Sequence, residues 1–327
     1  MNSHLLQEGL DAVETKLISV IDSEVDLLNE ASTHILASGG KRLRPQIGLL
    51  AYLAAGGEDV LDAVPMAAAI EMVHTATLVH DDINDHSLLR RGRPAVHARW
   101  GRTFALLTGD YLFTKVYELM APYGGHYNVI MADACTRLVE GETLQAASAK
   151  AGTIDRETYK RIISLKTASL FEAAARMGAM LGDADDEVVD ALAEYAFNLG
   201  IAFQIVDDML DIVGDPEALG KPIGLDVAQQ RGVLVAEKGR PIMTLQPNGE
   251  GVAVAEAVMT EVTAEAEPVD PIQRMMARLR ESGAVEIARL QAMEMATRAR
   301  AALADVPPSA ARDELDALID LVLERDR

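Results

Sequence analysis

The sequence predicts an all-α protein, on three observations. Apolar residues recur at helical spacing through most of the first 230 positions. Ala, Leu, Met and Glu are abundant while aromatic residues make up 4% of the chain, a balance that suits helices and offers little to a β-sandwich or a base-stacking surface. No segment alternates apolar and polar residues for long between hairpin turns.

The elements follow in order. Residues 4–37 read as one amphipathic helix, with Leu6, Leu10, Val13, Leu17, Val20 and Leu27 on related faces and Gly39-Gly40 as its stop signal. Pro45 suits the first turn of a second helix, which runs to about Ala55 and ends at Gly56-Gly57. Further helices are predicted over 60–87, 102–121, 126–148, 155–181 and 186–213, separated by loops holding Gly, Pro or clustered Asp. Residues 214–275 change character: 214–231 is rich in Gly, Asp and Pro, 246–250 reads as a turn, and 264–271 carries two prolines. Loops around short helices are expected there, before helical patterning returns at 271–279, 284–303 and 309–324. The chain, 1–327, reads as a single domain with an atypical loop-rich stretch at about 227–270.

Charge narrows the function. Thirty basic against 51 acidic residues leave a net charge of −21, which argues against binding nucleic acid or anionic lipid by electrostatics alone. Anionic substrates would need local basic clusters or recruited cations. The single cysteine, Cys135, excludes an intramolecular disulfide and a cysteine metal cage, and fits a reducing compartment. The first residues carry acids among their apolar positions, unlike a secretory signal. No apolar run reaches the roughly 18 residues of a membrane span. A cytoplasmic protein is expected, with transient membrane contact left open.

Two acidic clusters then stand out: Asp81-Asp82-Ile83-Asn84-Asp85 and Asp207-Asp208-Met209-Leu210-Asp211. Both have the form D-D-x-x-D. On a helix the first and last aspartates stand four residues apart and share a face. Carboxylates on one face repel each other, and inside apolar stretches an uncompensated charge is costly to bury. A divalent cation relieves both problems, and oxygen-only donors favour Mg²⁺. Either cluster alone reads equally well as a solvated acidic turn; two copies, each after a long apolar run, outweigh that reading. An EF-hand over 81–92 fails, because Ile83 occupies a ligand position and Gly92 stands where the bidentate Glu belongs.

Basic residues accompany the acids. Lys41, Arg42 and Arg44 surround a helix start, against the usual preference for acids there. Together with free backbone N–H groups they suit an anion, although an exposed charged cap is the alternative. Arg90, Arg91 and Arg93 follow the first acidic cluster, as either contacts for a metal-bridged anion or charge balance. Lys166 and Lys221 read by themselves as surface lysines, Gln145 and Gln204 as polar residues on apolar helices, and His74, His80 and His97 as structural histidines. There is no Walker-type glycine loop, no G-x-S-x-G elbow and no evident Cys/His pair. Metals and electrostatics are left to carry the chemistry, without a protein nucleophile.

In chain order, GGKRLRP (39–45), HTATLVHDDIND (74–85), LLRRGRP (88–94), GD (109–110), EGETLQ (140–145), KTASLF (166–171), FQIVDDMLD (203–211) and GKPIGLD (220–226) resemble the motifs of the trans-polyprenyl diphosphate synthases. The resemblance covers nearly the whole chain. It implies a bundle of antiparallel helices around a deep cavity, usually in a homodimer. Asp81, Asp82 and Asp85 would face Asp207, Asp208 and Asp211 across the cavity mouth and hold about three Mg²⁺ ions on an allylic diphosphate. Arg90, Lys166 and Lys221 would clamp that diphosphate. Lys41, Arg44, His74 and Arg91 would bind isopentenyl diphosphate, and Thr167 and Gln204 would line the reacting centre. The implied reaction is ionisation, condensation and elimination, with the released diphosphate taking the proton.

Chain length follows from the same likeness. The growing tail would pass Thr77, Ala76 and, one turn deeper, Val73, none of them an aromatic floor. A product longer than farnesyl is therefore expected, geranylgeranyl or a hexaprenyl-to-decaprenyl quinone side-chain precursor. The pattern departs after Asp226, where Val227-Ala228-Gln229-Gln230-Arg231 replaces the usual basic residue and T-L-P segment. That leaves Arg231, Lys238 or no residue for the family lysine. A terpene cyclase on the same fold fits less well, since cyclases usually replace the second D-D-x-x-D. A non-catalytic partner subunit would tend to lose one or both motifs.

Overall fold

The computed structural model describes residues 2–213, 232, 242–245, 251–254, 277 and 280–325. In chain order the helices are α1 (Asn2–Val20), α2 (Asp26–Leu36), α3 (Leu43–Ala54), α4 (Val64–Asn84), α5 (Val96–Trp100), α6 (Arg102–Met120) and α7 (Gly125–Ala151). Then come α8 (Arg156–Ile163), α9 (Ser169–Leu181), α10 (Asp186–Val213), α11 (Ala284–Ala302) and α12 (Ala310–Leu323). The all-α expectation holds. Two small antiparallel hairpins accompany the helices: β1 (Leu89–Arg90) with β2 (Arg93–Pro94), and β3 (Ile242–Leu245) with β4 (Gly251–Val254).

Helix α10 organises the core. Its 28 residues pack against both α9 and α11, and Tyr195, Leu199 and Ala202 on it are fully buried. Alanines at 288, 292, 296 and 299 give α11 a small-residue stripe, all of it buried, which lets the two helices approach closely. Helix α3 packs against α9 and α4 against α6. The Tyr195 hydroxyl donates to the Leu315 carbonyl oxygen at 2.6 Å, tying α10 to α12.

Several boundaries differ from the sequence reading, each for a local reason. The single helix expected over 4–37 is two, because the chain leaves helical geometry between Ile21 and Val25. There the Ser23 hydroxyl accepts the Val25 N–H, and Tyr111 on α6 donates to the Ile21 and Asp22 carbonyl oxygens at the end of α1. The helix expected over 60–87 begins as a 3₁₀ turn, Val60–Ala63, whose Leu61 N–H is capped by the Asp59 side chain. It ends at Asn84, and His86 takes a left-handed φ of 54°. The expected 155–181 helix contains a π turn, Ser164–Ala168, between α8 and α9. The predicted turn at 246–250 lies outside the described residues, as do Lys221, Arg231, Lys238 and, apart from Ala277, the helix expected over 271–279.

The Tyr195 hydroxyl yields a stability prediction. Tyr195→Phe removes the donor and leaves the Leu315 carbonyl oxygen short of a partner, so it should cost about 1–2 kcal/mol. Urea unfolding checks this through the midpoint, with the slope of the transition unchanged.

Candidate active site

The first acidic cluster occupies the last turn of α4, where the helix carbonyls already concentrate negative charge. Each aspartate meets a different environment. Asp82 is 1% exposed and paired with Arg90, whose Nε donates to Oδ1 at 3.0 Å. Asp81 lies 3.7 Å from the Lys166 ammonium. Burial, reinforced by Glu142 and Asp85 against the pull of Lys166, pushes its carboxyl up to about 6. Asp85 is half-buried and opens onto a cavity of about 120 Å³.

Helix α10 supplies Asp207 and Asp208 of the second cluster to the same cavity. Asp207 reaches its rim with a third of its side chain exposed, and faces the Arg325 guanidinium at 3.5 Å. Asp208 lines the wall, accepting from the Tyr159 hydroxyl at 2.7 Å and the Gln204 amide at 2.8 Å. Asp211 is fully buried. The two ends of each D-D-x-x-D therefore differ in exposure most sharply in the second cluster.

Between the acids stands the π turn. Consecutive α-helical residues project about 100° apart, yet Lys166 and Thr167 both line the cavity, a re-aiming that π turns at functional sites supply. Helix α7 packs tightly against this turn: a Cβ on Gly141 would stand 2.6 Å from the Lys166 backbone nitrogen. The contact brings Glu142 and Gln145 onto Lys166, the first as an ion pair and the second accepting at 3.0 Å. Thr167 donates to Gln204 Oε1 at 2.8 Å.

The basic residues separate into two duties. Arg42, in left-handed geometry with φ 48°, turns inward to Glu14 and to Glu71, the latter at 2.7 Å. It anchors α3 to α1 and α4. Arg44 stacks over the Phe171 ring at 4.7 Å, and its buried Nε has no hydrogen-bond partner among the described residues. Burial lowers Arg44 to about 10, with Glu71 and Asp207 opposing the shift, so it stays charged at neutral pH.

Arg91 and Gly92 form the β1–β2 turn with φ 51° and 73°, as a two-residue hairpin turn requires. The Arg91 guanidinium lies against Gly40, where a Cβ would meet it at 2.7 Å. Burial, followed by the charges of Arg44, Arg91, Arg90 and Arg42, holds His74 well below the usual imidazole range, so it is neutral. Lys41 is exposed at the edge of this group.

The sequence did not single out Tyr159, Glu142, Glu71 or Arg325 for the site. Tyr159 sits seven residues, about two turns, before Lys166, a spacing that could have been read. Arg325 is brought in by tertiary folding from the far end of the chain. Among the described residues no three His, Cys, Asp or Glu side chains stand close enough to cage a metal. Such open carboxylates fit Mg²⁺, which takes one or two of them and completes its shell with water and phosphate oxygens.

A helical bundle with carboxylates and a lysine lining one cavity, and an arginine with an unpartnered Nε within the electrostatic reach of Asp207, suits a substrate rich in phosphate. Residues 25–240 match the polyprenyl synthetase family. Octaprenyl diphosphate synthase of Escherichia coli is 33% identical over 335 residues, spanning 99% of this chain and 98% of its own length. The short chain isoprenyl diphosphate synthase of Methanothermobacter thermautotrophicus is 36% identical over 94% and 93% of the two chains. The crystal structure of a polyprenyl synthase from Caulobacter crescentus, complexed with calcium and isoprenyl diphosphate, superposes with a TM-score of 0.86 at 33% identity, covering 99% and 97%. The chain belongs to the polyprenyl synthetase family of chain-elongating prenyltransferases. No helix among the described residues is long and apolar enough to cross a membrane.

Asp81 yields a prediction of pH dependence. Its carboxyl titrates at about 6 when folded against 3.8 ordinarily, so its ionisation opposes folding once pH rises through that window. Asp81→Asn should raise the stability of the metal-free protein above pH 6 by about 1–3 kcal/mol. The gain should fade below about pH 4. Thermal melts in EDTA across pH 4–8 measure it, and a gain independent of pH would refute the assignment.

Proposed function

We propose that this chain condenses isopentenyl diphosphate with an allylic diphosphate in the trans sense, using Mg²⁺, to a product of geranylgeranyl length or longer. The observation that carries the reading is the meeting of Asp85, Asp207 and Asp208 with Lys166 around one cavity, with Asp81 3.7 Å behind that lysine, and a charged Arg44 whose Nε lacks a partner among the described residues within the electrostatic reach of Asp207. Asp85 and Asp207 present carboxylate toward the cavity, and Asp81 stands against Lys166, which lines it. Asp82, Asp208 and Asp211 support them from buried positions. Bound there, about three Mg²⁺ would neutralise the diphosphate and make it a better leaving group.

The protein's own part is positioning. Lys166 and Arg90 face the allylic diphosphate, and Lys221, outside the described residues, adds to that clamp. Lys41, Arg44, neutral His74 and Arg91 hold the isopentenyl diphosphate, with Arg44 Nε supplying an unshared donor. The allylic C–O bond breaks and diphosphate leaves with the electron pair. The isopentenyl double bond attacks the resulting cation, forming the new C–C bond. A proton then passes to the released diphosphate and a new double bond closes the step. Thr167 and Gln204 line the reacting centre, and fixed dipoles there lower the barrier without reorganising.

Product length rests on the small side chains of α4. Ala76 and Val73 are fully buried and Thr77 is half-buried, its hydroxyl turned back to the His74 carbonyl oxygen at 2.7 Å. The purified chain, given isopentenyl diphosphate and farnesyl diphosphate with Mg²⁺, should yield products beyond C20, and EDTA should abolish turnover. Ala76→Phe should shorten the product. A chain active only after a second protein is added would favour the partner-subunit reading instead.

The same reading includes a homodimer. Helices α6 and α7 expose Phe104, Leu106, Leu107, Tyr117, Val129 and Val139, an apolar face unusual for a surface left to water. Light scattering should return two chains per particle; a single chain at micromolar concentration would remove the dimer.

A further inference from the structure

Tyr159 takes no part in the substrate contacts described above, yet it is 4% exposed and its hydroxyl donates to Asp208 Oδ2 at 2.7 Å. The other carboxylate oxygen, Oδ1, accepts from Gln204 Nε2 at 2.8 Å. Gln204 Oε1 accepts from Thr167 Oγ1, also at 2.8 Å. Four side chains from α8, α10 and the π turn thus form one hydrogen-bonded line along the cavity wall.

The line has a fixed polarity. A carboxylate only accepts, so Gln204 must turn its NH₂ group toward Asp208 and its oxygen toward Thr167. Thr167 then commits its one hydroxyl proton to that oxygen. At the Thr167 end of the amide these two residues offer a neighbour oxygen lone pairs, while the second Nε2 hydrogen of Gln204 stays at the Asp208 end. A carbon gaining positive charge beside them would meet the negative ends of dipoles already in place. The opposite amide orientation would point N–H hydrogens, and positive charge, at Thr167 and the cavity.

We propose that Tyr159 and Asp208 are a positioning pair: they lock the Gln204 amide so that Gln204 and Thr167 present oxygen to the reacting allylic carbon. The proposal rests on the reading of this cavity as the place of allylic ionisation. It also divides the second acidic cluster, with Asp207 serving the diphosphate side and Asp208 serving the wall. Tyr159 holds Oδ2 and Gln204 holds Oδ1, so both oxygens of Asp208 already work within the protein.

The test compares wild type with Tyr159→Phe, Asp208→Asn and Gln204→Ala in steady-state kinetics. Calorimetry alongside measures binding of Mg²⁺ with a thiolo analogue of the allylic diphosphate that ionises too slowly to react. Tyr159→Phe should lower kcat by about tenfold or more, the cost of one hydrogen bond to a charged group. Asp208→Asn should lower it further, since an amide at 208 lets Gln204 turn over. KM for isopentenyl diphosphate and the affinity for the Mg²⁺–analogue pair should stay within about threefold of wild type. Adding Tyr159→Phe to Gln204→Ala should cost little more, because no amide remains to orient.

Unchanged kcat in Tyr159→Phe would overturn the proposal, and so would additive losses in the double variant. A fall in analogue affinity that accounts for the whole loss in Asp208→Asn would make Asp208 a metal ligand and overturn it as well. Circular dichroism guards against misfolding; if Tyr159→Phe does not fold, Asp208→Asn keeps the phenol and carries the same comparison. A wild-type chain with no turnover of isopentenyl diphosphate is a separate result, which removes the functional reading itself.

Discussion

Asp81, Asp82 and Asp85 gather carboxylate charge at the C-terminal end of α4, where exposed carbonyls already make the site unfavourable for anions. Much of the local structure answers that charge. Arg90 reaches Asp82 from a hairpin, and Lys166 reaches Asp81 and Glu142 from a π turn. Each counter-charge comes from a backbone irregularity: paired left-handed residues at Arg91 and Gly92 for the hairpin, and a widened turn for the lysine. Regular helices would have placed neither cation where it is needed.

The compensation is partial by construction. Lys166 is shared between Asp81, Glu142 and Gln145, and Asp81 is still held above its ordinary titration range. Arg44 shows the complementary condition: its buried Nε has no partner among the described residues, and the charges of Glu71 and Asp207 only partly offset the effect of burial. The folded protein thus retains incompletely compensated carboxylates around the cavity and, at Arg44, an unsatisfied donor. On the proposed reading, a substrate diphosphate accompanied by divalent cations would satisfy both. Affinity would then arise from what the fold leaves undone, at a cost in the stability of the empty protein.

The sequence made the long elements plain, and its failures are local. Helix α10 was bounded correctly because 28 residues of apolar periodicity run without a breaker. The break between α1 and α2 was missed because its cause, Tyr111, lies some 90 residues away. The π turn was missed because its composition is ordinary helix. In the site, the aspartates were visible as a pattern, but their separate environments were not. Asp82 and Asp81 are neighbours in sequence, yet one is closed off by Arg90 and the other faces a lysine. Arg42 and Arg44 likewise look interchangeable in GGKRLRP, until a left-handed φ sends the first inward to Glu14 and Glu71.

That last contrast explains why a motif of adjacent like charges is useful at all. Adjacent residues on a helix diverge by about 100°, so they cannot serve one ligand from the same face. A pair such as Asp207-Asp208 instead gives one carboxylate to the cavity rim and one to the wall. The wall residue holds Tyr159 and Gln204, and through Gln204 it fixes Thr167. On the proposed reading, the repeated aspartate would link the holding of a diphosphate to the orientation of dipoles at the carbon it leaves. Placing the two duties on consecutive residues of a rigid, buried helix fixes the distance between them, so neither can drift without the other.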